Sequence, residues 1–119
     1  MATVLLVDDS SFSRRRIKNT LSQIHNGDIV EAVNGQDALE KFRDHSPDLV
    51  LLDLTMPVMD GYTALERIMQ RNPKAKVAIV SADVQQRAKD RVEAAGAVAF
   101  VQKPPTEAEL QRLVKLYVG

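Results

Sequence analysis

The chain has 119 residues, with 16 lysines and arginines balancing 16 aspartates and glutamates, and it contains no cysteine. This length predicts one domain with a hydrophobic core of its own, and the balanced charge argues against binding to nucleic acids or membrane surfaces. The lack of cysteine excludes disulfides and thiolate catalysis. The sequence has no signal-peptide pattern and no apolar run near the ~20 residues that a membrane span needs, so we expect a cytoplasmic protein.

Apolar, strand-like runs alternate along the chain with segments of helical periodicity. The predicted strands are residues 3–7, 28–33, 48–53, 76–81 and 97–102. The first three predicted helices run from residue 10 or 11 to a stop signal at 26–27, over 35–45, and over 62–71. Strands that are apolar throughout and alternate with five helices predict an α/β fold, a doubly wound five-stranded parallel sheet with helices on both faces.

Capping-box patterns mark the last two helices. Asp83 and Gln86 predict the start of the fourth helix and Thr106 and Glu109 that of the fifth, with Gly96 just past the end of the fourth. Residues at 3.6-residue spacing are expected to face the core. They are Phe12, Ile17, Leu21 and Ile24; Ala38, Leu39 and Phe42; Leu65, Ile68 and Met69; Val84, Ala88, Val92 and Ala95; and Leu110, Leu113, Val114 and Tyr117.

Residues suited to phosphoryl or metal chemistry lie at the ends of four predicted strands: Asp8 and Asp9, Asp53, Ser81 and Lys103. Taken singly, each has an ordinary interpretation as a turn residue, a helix cap or a solvated side chain. The carboxyl ends of parallel strands meet at one edge of the sheet, so these side chains are expected to share a cleft. Clustered carboxylates without histidine or cysteine suit Mg²⁺, and a lysine and a hydroxyl suit phosphate. Together they predict phosphoryl transfer onto Asp53.

These motifs resemble the receiver domain of two-component response regulators, specifically the stand-alone chemotaxis type. The resemblance covers nearly all 119 residues. It implies a flavodoxin-like sheet with strand order 2-1-3-4-5 and one receiver domain over residues 1–119. The matching segments are residues 7–10 (VDDS), 53–61 (DLTMPVMDG), 81–82 (SA), 94–97 (AAGA) and 100–104 (FVQKP).

The resemblance also implies roles for the residues at the strand ends. Asp53 accepts the phosphoryl group from a histidine kinase or a histidine phosphotransfer domain. Asp8 and Asp9 hold Mg²⁺, for which Mn²⁺ substitutes, with Asp9 the direct ligand and Asp8 acting partly through water. Asp53 and the backbone carbonyl of Thr55 complete the metal shell. Lys103 pairs with the Asp53 carboxylate and then with the phosphate.

Conformational signalling is implied in the same way. Ser81 swings to bond a phosphoryl oxygen, and Phe100 turns inward behind it. A protein partner then reads the face formed by the fourth helix, fifth strand and fifth helix. The peptide between Lys103 and Pro104 is expected to be cis. The protein is expected to be a monomeric switch, assisting only its own phosphorylation and dephosphorylation, with no further domain after residue 119.

Four positions depart from the family pattern or border the phosphoryl group. Phe100 stands where tyrosine is frequent, which removes any switch that depends on a phenolic hydroxyl. Pro105 follows Pro104 where many relatives carry a bulky apolar residue, and it stiffens the start of the last helix. Thr55 and Asp83 border the phosphoryl group in relatives and influence its lifetime.

Other interpretations of the sequence are weaker or stay open. A phosphatase of the haloacid-dehalogenase type needs a second acid two residues after its nucleophile, where this chain has Thr55. A flavodoxin-like electron carrier needs a phosphate loop after the first strand, where residues 8–11 would repel the phosphate. Residues 14–16, three arginines, are most simply a solvated helix face, with docking to the kinase or phosphotransfer domain as the alternative. His25 and His45 are assigned no role.

Overall fold

Five parallel strands form one sheet in the computed structural model, which describes residues 2–118. The strands are β1 Thr3–Val7, β2 Asp28–Ala32, β3 Leu49–Leu52, β4 Val77–Ser81 and β5 Ala99–Gln102. The helices that alternate with them are α1 Ser11–Ile24, α2 Gly35–His45, α3 Gly61–Arg71, α4 Gln86–Ala94 and α5 Glu107–Tyr117. Each predicted element is present, and the strand ends differ from prediction by at most two residues.

The strand order is β2-β1-β3-β4-β5, as the resemblance implied. Val7, the last residue of β1, lies between Ala32 of β2 and Leu52 of β3. The chain therefore leaves β1 toward one edge of the sheet and returns to build the other edge from β3. A site at this reversal lies just beyond the carboxyl ends of β1 and β3, which is where ligands bind in open sheets of this kind.

Helices cover both faces of the sheet, so the central strands are buried on two sides. The side chains of Leu5, Val50 and Ile79 pack with α2, α3 and α4. Those of Leu6 and Leu51, which point to the opposite face, pack with α1 and α5. This double burial explains why the strands are apolar throughout instead of alternating. Within residues 2–118, no helix has the length and apolar character needed to cross a membrane.

The predicted start of α4 was wrong. Asp83 does not cap the helix: its side chain accepts a hydrogen bond from the N–H of Gln85, only two residues ahead, at 3.1 Å. This local turn delays the helix to Gln86, whose preceding residue makes no side-chain cap. Val84 consequently lies before the helix and is exposed, not part of its inward face. Phe12 was also misplaced, since it lies in the first turn of α1 and is 68% exposed.

Three other local predictions are confirmed: the capping box at Thr106, the glycine after α4 and the cis peptide. Thr106 accepts a hydrogen bond from the N–H of Glu109 at 3.1 Å, and the Glu109 carboxylate accepts one from the N–H of Thr106 at 3.0 Å. Gly96 has a φ of 106°, the left-handed conformation that favours glycine after a helix. The peptide between Lys103 and Pro104 is cis.

Candidate functional site

Three carboxylates meet at the carboxyl ends of β1 and β3. Asp8 and Asp9 follow β1 directly, and Asp53 follows β3. One carboxylate oxygen from each of the three lies within 4.8 Å of the others. Asp8 and Asp53 are buried, at 2% and 6% exposure, whereas Asp9 is exposed. We call these three residues the acid pocket; one side of it is fixed in the protein and one faces solvent.

Lys103 contacts two members of the acid pocket. Its Nζ lies 2.6 Å from Oδ2 of Asp8 and 3.1 Å from Oδ2 of Asp53. The sequence led us to expect pairing with Asp53, and the shorter contact to Asp8 was not anticipated. The backbone N–H of Lys103 donates to the carbonyl of Ser81 at 2.9 Å, which attaches the lysine to the end of β4. A single ammonium therefore offsets part of the charge of two buried acids.

The surroundings shift the pKa values of Asp53 and Lys103. Burial raises the pKa of Asp53; the hydrogen bond and charge of Lys103 oppose this, and the charge of Asp8 adds to it. For Lys103, burial lowers the pKa, but hydrogen bonds to Asp8 and Asp53 outweigh it and the net pKa is raised. The lysine is thus held in its charged form, as contact with two carboxylates requires.

The loop after β3 carries the backbone close to Asp53. The N–H of Thr55 lies 3.4 Å from Oδ1 of Asp53, a long hydrogen bond, and the Thr55 side chain is exposed. Gly61 ends this loop at the start of α3, and a Cβ there would overlap the carbonyl oxygen of Asp53. At its apex, Val58 has a φ of 71°, uncommon for a β-branched residue, and is 81% exposed.

Ser81 is the last residue of β4, and Phe100 lies on the neighbouring strand β5. Ser81 is buried, and its Oγ accepts a hydrogen bond from the N–H of Asp83 at 3.0 Å. Phe100 is half-buried on β5 and packs against the core that lies under α4. Its ring lines a groove of about 340 Å³ beside α4, with the ammonium of Lys89 5.6 Å from the ring centroid. Ser81 is thus tied to Lys103 through its carbonyl, and Phe100 lies beside an exposed groove.

Sequence reasoning missed Arg14. Residues 14–16 were interpreted as a solvated helix face, but the Arg14 side chain is only 16% exposed. Its Nη1 donates to the carbonyl of Asp8 at 2.7 Å and its Nε to Glu31 at 3.3 Å. Helical periodicity held a signal for this, because position 14 lies three residues before Ile17 and seven before Leu21, the buried residues of α1, and so on the same side of the helix. Arg15 and Arg16 are exposed, as predicted.

The comparisons with known proteins agree with this geometry. The sequence model of the response regulator receiver domain matches residues 4–115. The chain belongs to that family. It is 45% identical to the chemotaxis protein CheY of Bacillus subtilis (strain 168) over 101 residues, which cover 85% of this receiver domain and 84% of that protein. It is 40% identical to the chemotaxis protein CheY of Thermotoga maritima, with the same coverage of both chains.

Solved structures place the fold in the same family. The CheX–CheY–BeF₃–Mg²⁺ complex from Borrelia burgdorferi contains a chain of TM-score 0.91 and 34% identity, with 99% of this receiver domain and 90% of that chain covered. Longer relatives exist as well. A protein-glutamate methylesterase from Halalkalibacterium halodurans is 39% identical over 120 residues, which cover 34% of its length. Sequences of this kind therefore make up most of some proteins and one part of larger ones.

The donor set of the acid pocket fits the Mg²⁺ that receiver domains bind. Its three carboxylates supply only hard oxygen ligands, and two of them are held in place by burial. Three acids this close repel one another, and Lys103 offsets only one unit of that charge. A divalent cation would balance the remainder. The residues present therefore suit the metal.

Proposed function

We propose that the receiver domain spans residues 1–119 and accepts a phosphoryl group on Asp53 from a histidine kinase or a histidine phosphotransfer domain. The observation that carries the proposal is the acid pocket with Lys103 against two of its members. One ammonium in contact with two carboxylates that follow different strands indicates a single site. A phosphoacceptor needs this arrangement, because negative charge arrives with the phosphoryl group.

In the transfer, a carboxylate oxygen of Asp53 attacks the phosphorus of the donor phosphohistidine. The P–N bond breaks, its electron pair goes to the imidazole nitrogen, which takes up a proton from solvent, and an acyl phosphate forms on Asp53. Asp8, Asp9, Asp53 and the carbonyl of Thr55 would hold Mg²⁺, with Asp9 the direct ligand. The bound ion supplies positive charge to the phosphoryl oxygens. Lys103 supplies a second positive charge from the side of β5.

The proposed output depends on Ser81 at the end of β4 and Phe100 on β5. When Ser81 turns its hydroxyl to a phosphoryl oxygen, the N–H of Asp83 loses its acceptor. The segment before α4 then rearranges, and Phe100 turns inward. The exposed surface of α4, β5 and α5 changes shape, and a protein partner binds it. The balanced charge of the chain supports a protein partner over a nucleic acid.

Phosphorylation by acetyl phosphate tests the proposal without a cognate kinase. Intact-mass spectrometry of the wild type should show one added phosphoryl group with Mg²⁺ or Mn²⁺ and none with EDTA. Asp53→Asn should stay unmodified, because an amide is a poor nucleophile. Asp44→Asn, which removes an exposed carboxylate on α2, is the matched control and should behave as wild type. Undiminished labelling of Asp53→Asn, or labelling in EDTA, would contradict the proposal.

Partner recognition is tested with beryllofluoride, which occupies the place of a phosphoryl group. The Borrelia burgdorferi CheY was solved with BeF₃, Mg²⁺ and CheX. We expect the treated wild type to retain a protein partner from its source cells that the untreated protein and treated Asp53→Asn do not retain. Equal retention by all three would contradict a phosphorylation-dependent output.

A further inference from the structure

Every polar group of Asp8 has a partner. Its N–H donates to the carbonyl of Ala32 at 3.1 Å, and its Oδ1 accepts from the N–H of Ser10 at 2.9 Å. Its Oδ2 contacts Lys103, and its backbone carbonyl accepts from Arg14 at 2.7 Å. The contact with Ala32 continues the strand pairing, the contact with Ser10 closes a local turn, and the contact with Lys103 belongs to the acid pocket. The contact with Arg14 has none of these explanations.

A second contact, with Glu31 on β2, holds Arg14 in place. Its Nε donates to Oε1 of Glu31 at 3.3 Å, and Lys18 donates to Oε2 of the same carboxylate at 3.0 Å. The hydrogen bond from Lys18 and then the contact with Arg14 hold the pKa of Glu31 below its usual range, against the opposing effect of burial. Glu31 is therefore an ionised anchor on β2, next to the residue whose carbonyl binds the N–H of Asp8.

The two Arg14 contacts use different nitrogens of one planar guanidinium. One reaches the main chain that carries Asp8, and the other reaches a neighbouring strand. A lysine at this position would keep the charge, but it would have one nitrogen for both acceptors. The arrangement therefore resists rotation of the Asp8 peptide, which an unpartnered carbonyl beyond the end of β1 would allow.

We infer that Arg14, anchored by Glu31, is a positioning residue that fixes the Asp8 main chain and so sets the geometry of the acid pocket. This inference rests on the proposed function, in which the acid pocket binds Mg²⁺ and Asp53 accepts the phosphoryl group. Arg14 acts through Asp8 and not on the phosphoryl group. Its loss should therefore loosen the carboxylate of Asp8 even when no metal or phosphodonor is present.

Calorimetric titration with MgCl₂ in the absence of any phosphodonor gives the first test. Arg14→Ala should weaken Mg²⁺ binding roughly tenfold, as loss of a group that orients a metal ligand does. Arg14→Lys should show most of the same loss, because a lysine keeps the charge but has one nitrogen for the two acceptors. Arg15→Ala removes an equal charge from the exposed neighbour and should stay within about twofold of wild type. Full recovery by Arg14→Lys, or equal losses for Arg14→Ala and Arg15→Ala, would overturn the inference.

Hydrogen exchange of the metal-free protein gives the second test, and it separates this inference from the proposed function. The amide of Ser10, which donates to the Asp8 carboxylate, should exchange faster in Arg14→Ala and Arg14→Lys than in wild type and Arg15→Ala. Glu31→Gln should give a smaller increase that does not add to that of Arg14→Ala. Unchanged exchange at Ser10 would overturn the positioning role. A wild type that does not bind Mg²⁺ would instead contradict the proposed function, while the exchange result still decides this inference.

Discussion

Lys103 is the residue whose environment explains most about the acid pocket. It contacts Asp8 and Asp53 at once, so it links β1, β3 and β5 through a single ammonium. In the proposed transfer the Asp53 carboxylate becomes the neutral acyl group of an acyl phosphate, so that ammonium would exchange this partner for the phosphoryl oxygens while keeping Asp8. Its backbone N–H is bound to the carbonyl of Ser81, so the main chain between β5 and α5 is also tied to the end of β4.

Lys103→Ala should separate phosphorylation from output. Phosphorylation by acetyl phosphate should persist at a reduced rate, because the three carboxylates that would hold Mg²⁺ remain. Binding of the phosphorylated variant to a partner isolated with the beryllofluoride-treated wild type should fall at least tenfold, because the charge that couples Asp53 to β5 is gone. Surface plasmon resonance measures this, with Lys74→Ala, in the exposed turn between α3 and β4, as the control for charge. Wild-type affinity in phosphorylated Lys103→Ala would contradict the coupling.

The two aspartates after β1 should contribute unequally to metal binding. Both carboxylate oxygens of Asp8 already have protein partners, whereas Asp9 is exposed. Asp9→Ala should therefore weaken Mg²⁺ binding more than Asp8→Ala in a calorimetric titration, as expected for a direct ligand. Equal losses in the two variants would count against this division.

Helix α5 starts immediately after the segment that carries Lys103, and its capping box fixes that start. Thr106→Ala should lower the free energy of unfolding by about 1 kcal/mol, because one helical N–H loses its acceptor. For a domain of this size the melting temperature should fall by roughly 3–6 °C. Ser22→Ala, at an exposed position inside α1, should change stability by less than about 0.5 kcal/mol. Denaturant unfolding compares them, and a Thr106→Ala as stable as Ser22→Ala would contradict the cap's contribution.

Elements were predictable from the sequence where local chemistry and burial agree. Doubly buried strands such as Leu49–Leu52 are apolar throughout, and the charged residues after them mark one edge of the sheet. The capping box at Thr106 was predictable because all its bonds lie within four residues. The similar pattern at Asp83 failed because Ser81 and Gln85 compete for its groups through a local turn. Arg14 was missed although its spacing puts it on the same side of α1 as Ile17 and Leu21; its partners, Asp8 and Glu31, depend on tertiary packing.

At the scale of the whole molecule, the acid pocket should lower stability while no metal is bound. Replacing Asp53 by asparagine removes the free-energy cost of burying a charged group and the repulsion with Asp8. It also weakens the contact with Lys103. Asp53→Asn should therefore stabilise the metal-free fold by on the order of 1 kcal/mol. The melting temperature should rise by roughly 3–6 °C at neutral pH. Saturating Mg²⁺ should reduce or reverse the gain by stabilising the wild type.

The sign of the pH dependence follows from the raised pKa of Asp53 in the folded state. The folded protein holds this proton more tightly, so the penalty appears as pH rises through the unfolded pKa and is complete above the folded pKa. The gain of Asp53→Asn should accordingly be largest near neutral pH and shrink in acid. Thermal melts in EDTA across this range measure it, and a variant that melts at or below wild type at neutral pH would contradict the crowding of the three acids.

Chemical localisation of the phosphoryl group tests the central claim most directly. The wild type is treated with acetyl phosphate in Mg²⁺ or in EDTA, then reduced with borohydride, which converts an aspartyl phosphate to homoserine. Peptide mass spectrometry then identifies the residue that was modified. Our account predicts homoserine at position 53 in the Mg²⁺ sample and none in the EDTA sample. Homoserine at position 8 or 9 instead, or at position 53 to the same extent in EDTA, would contradict it.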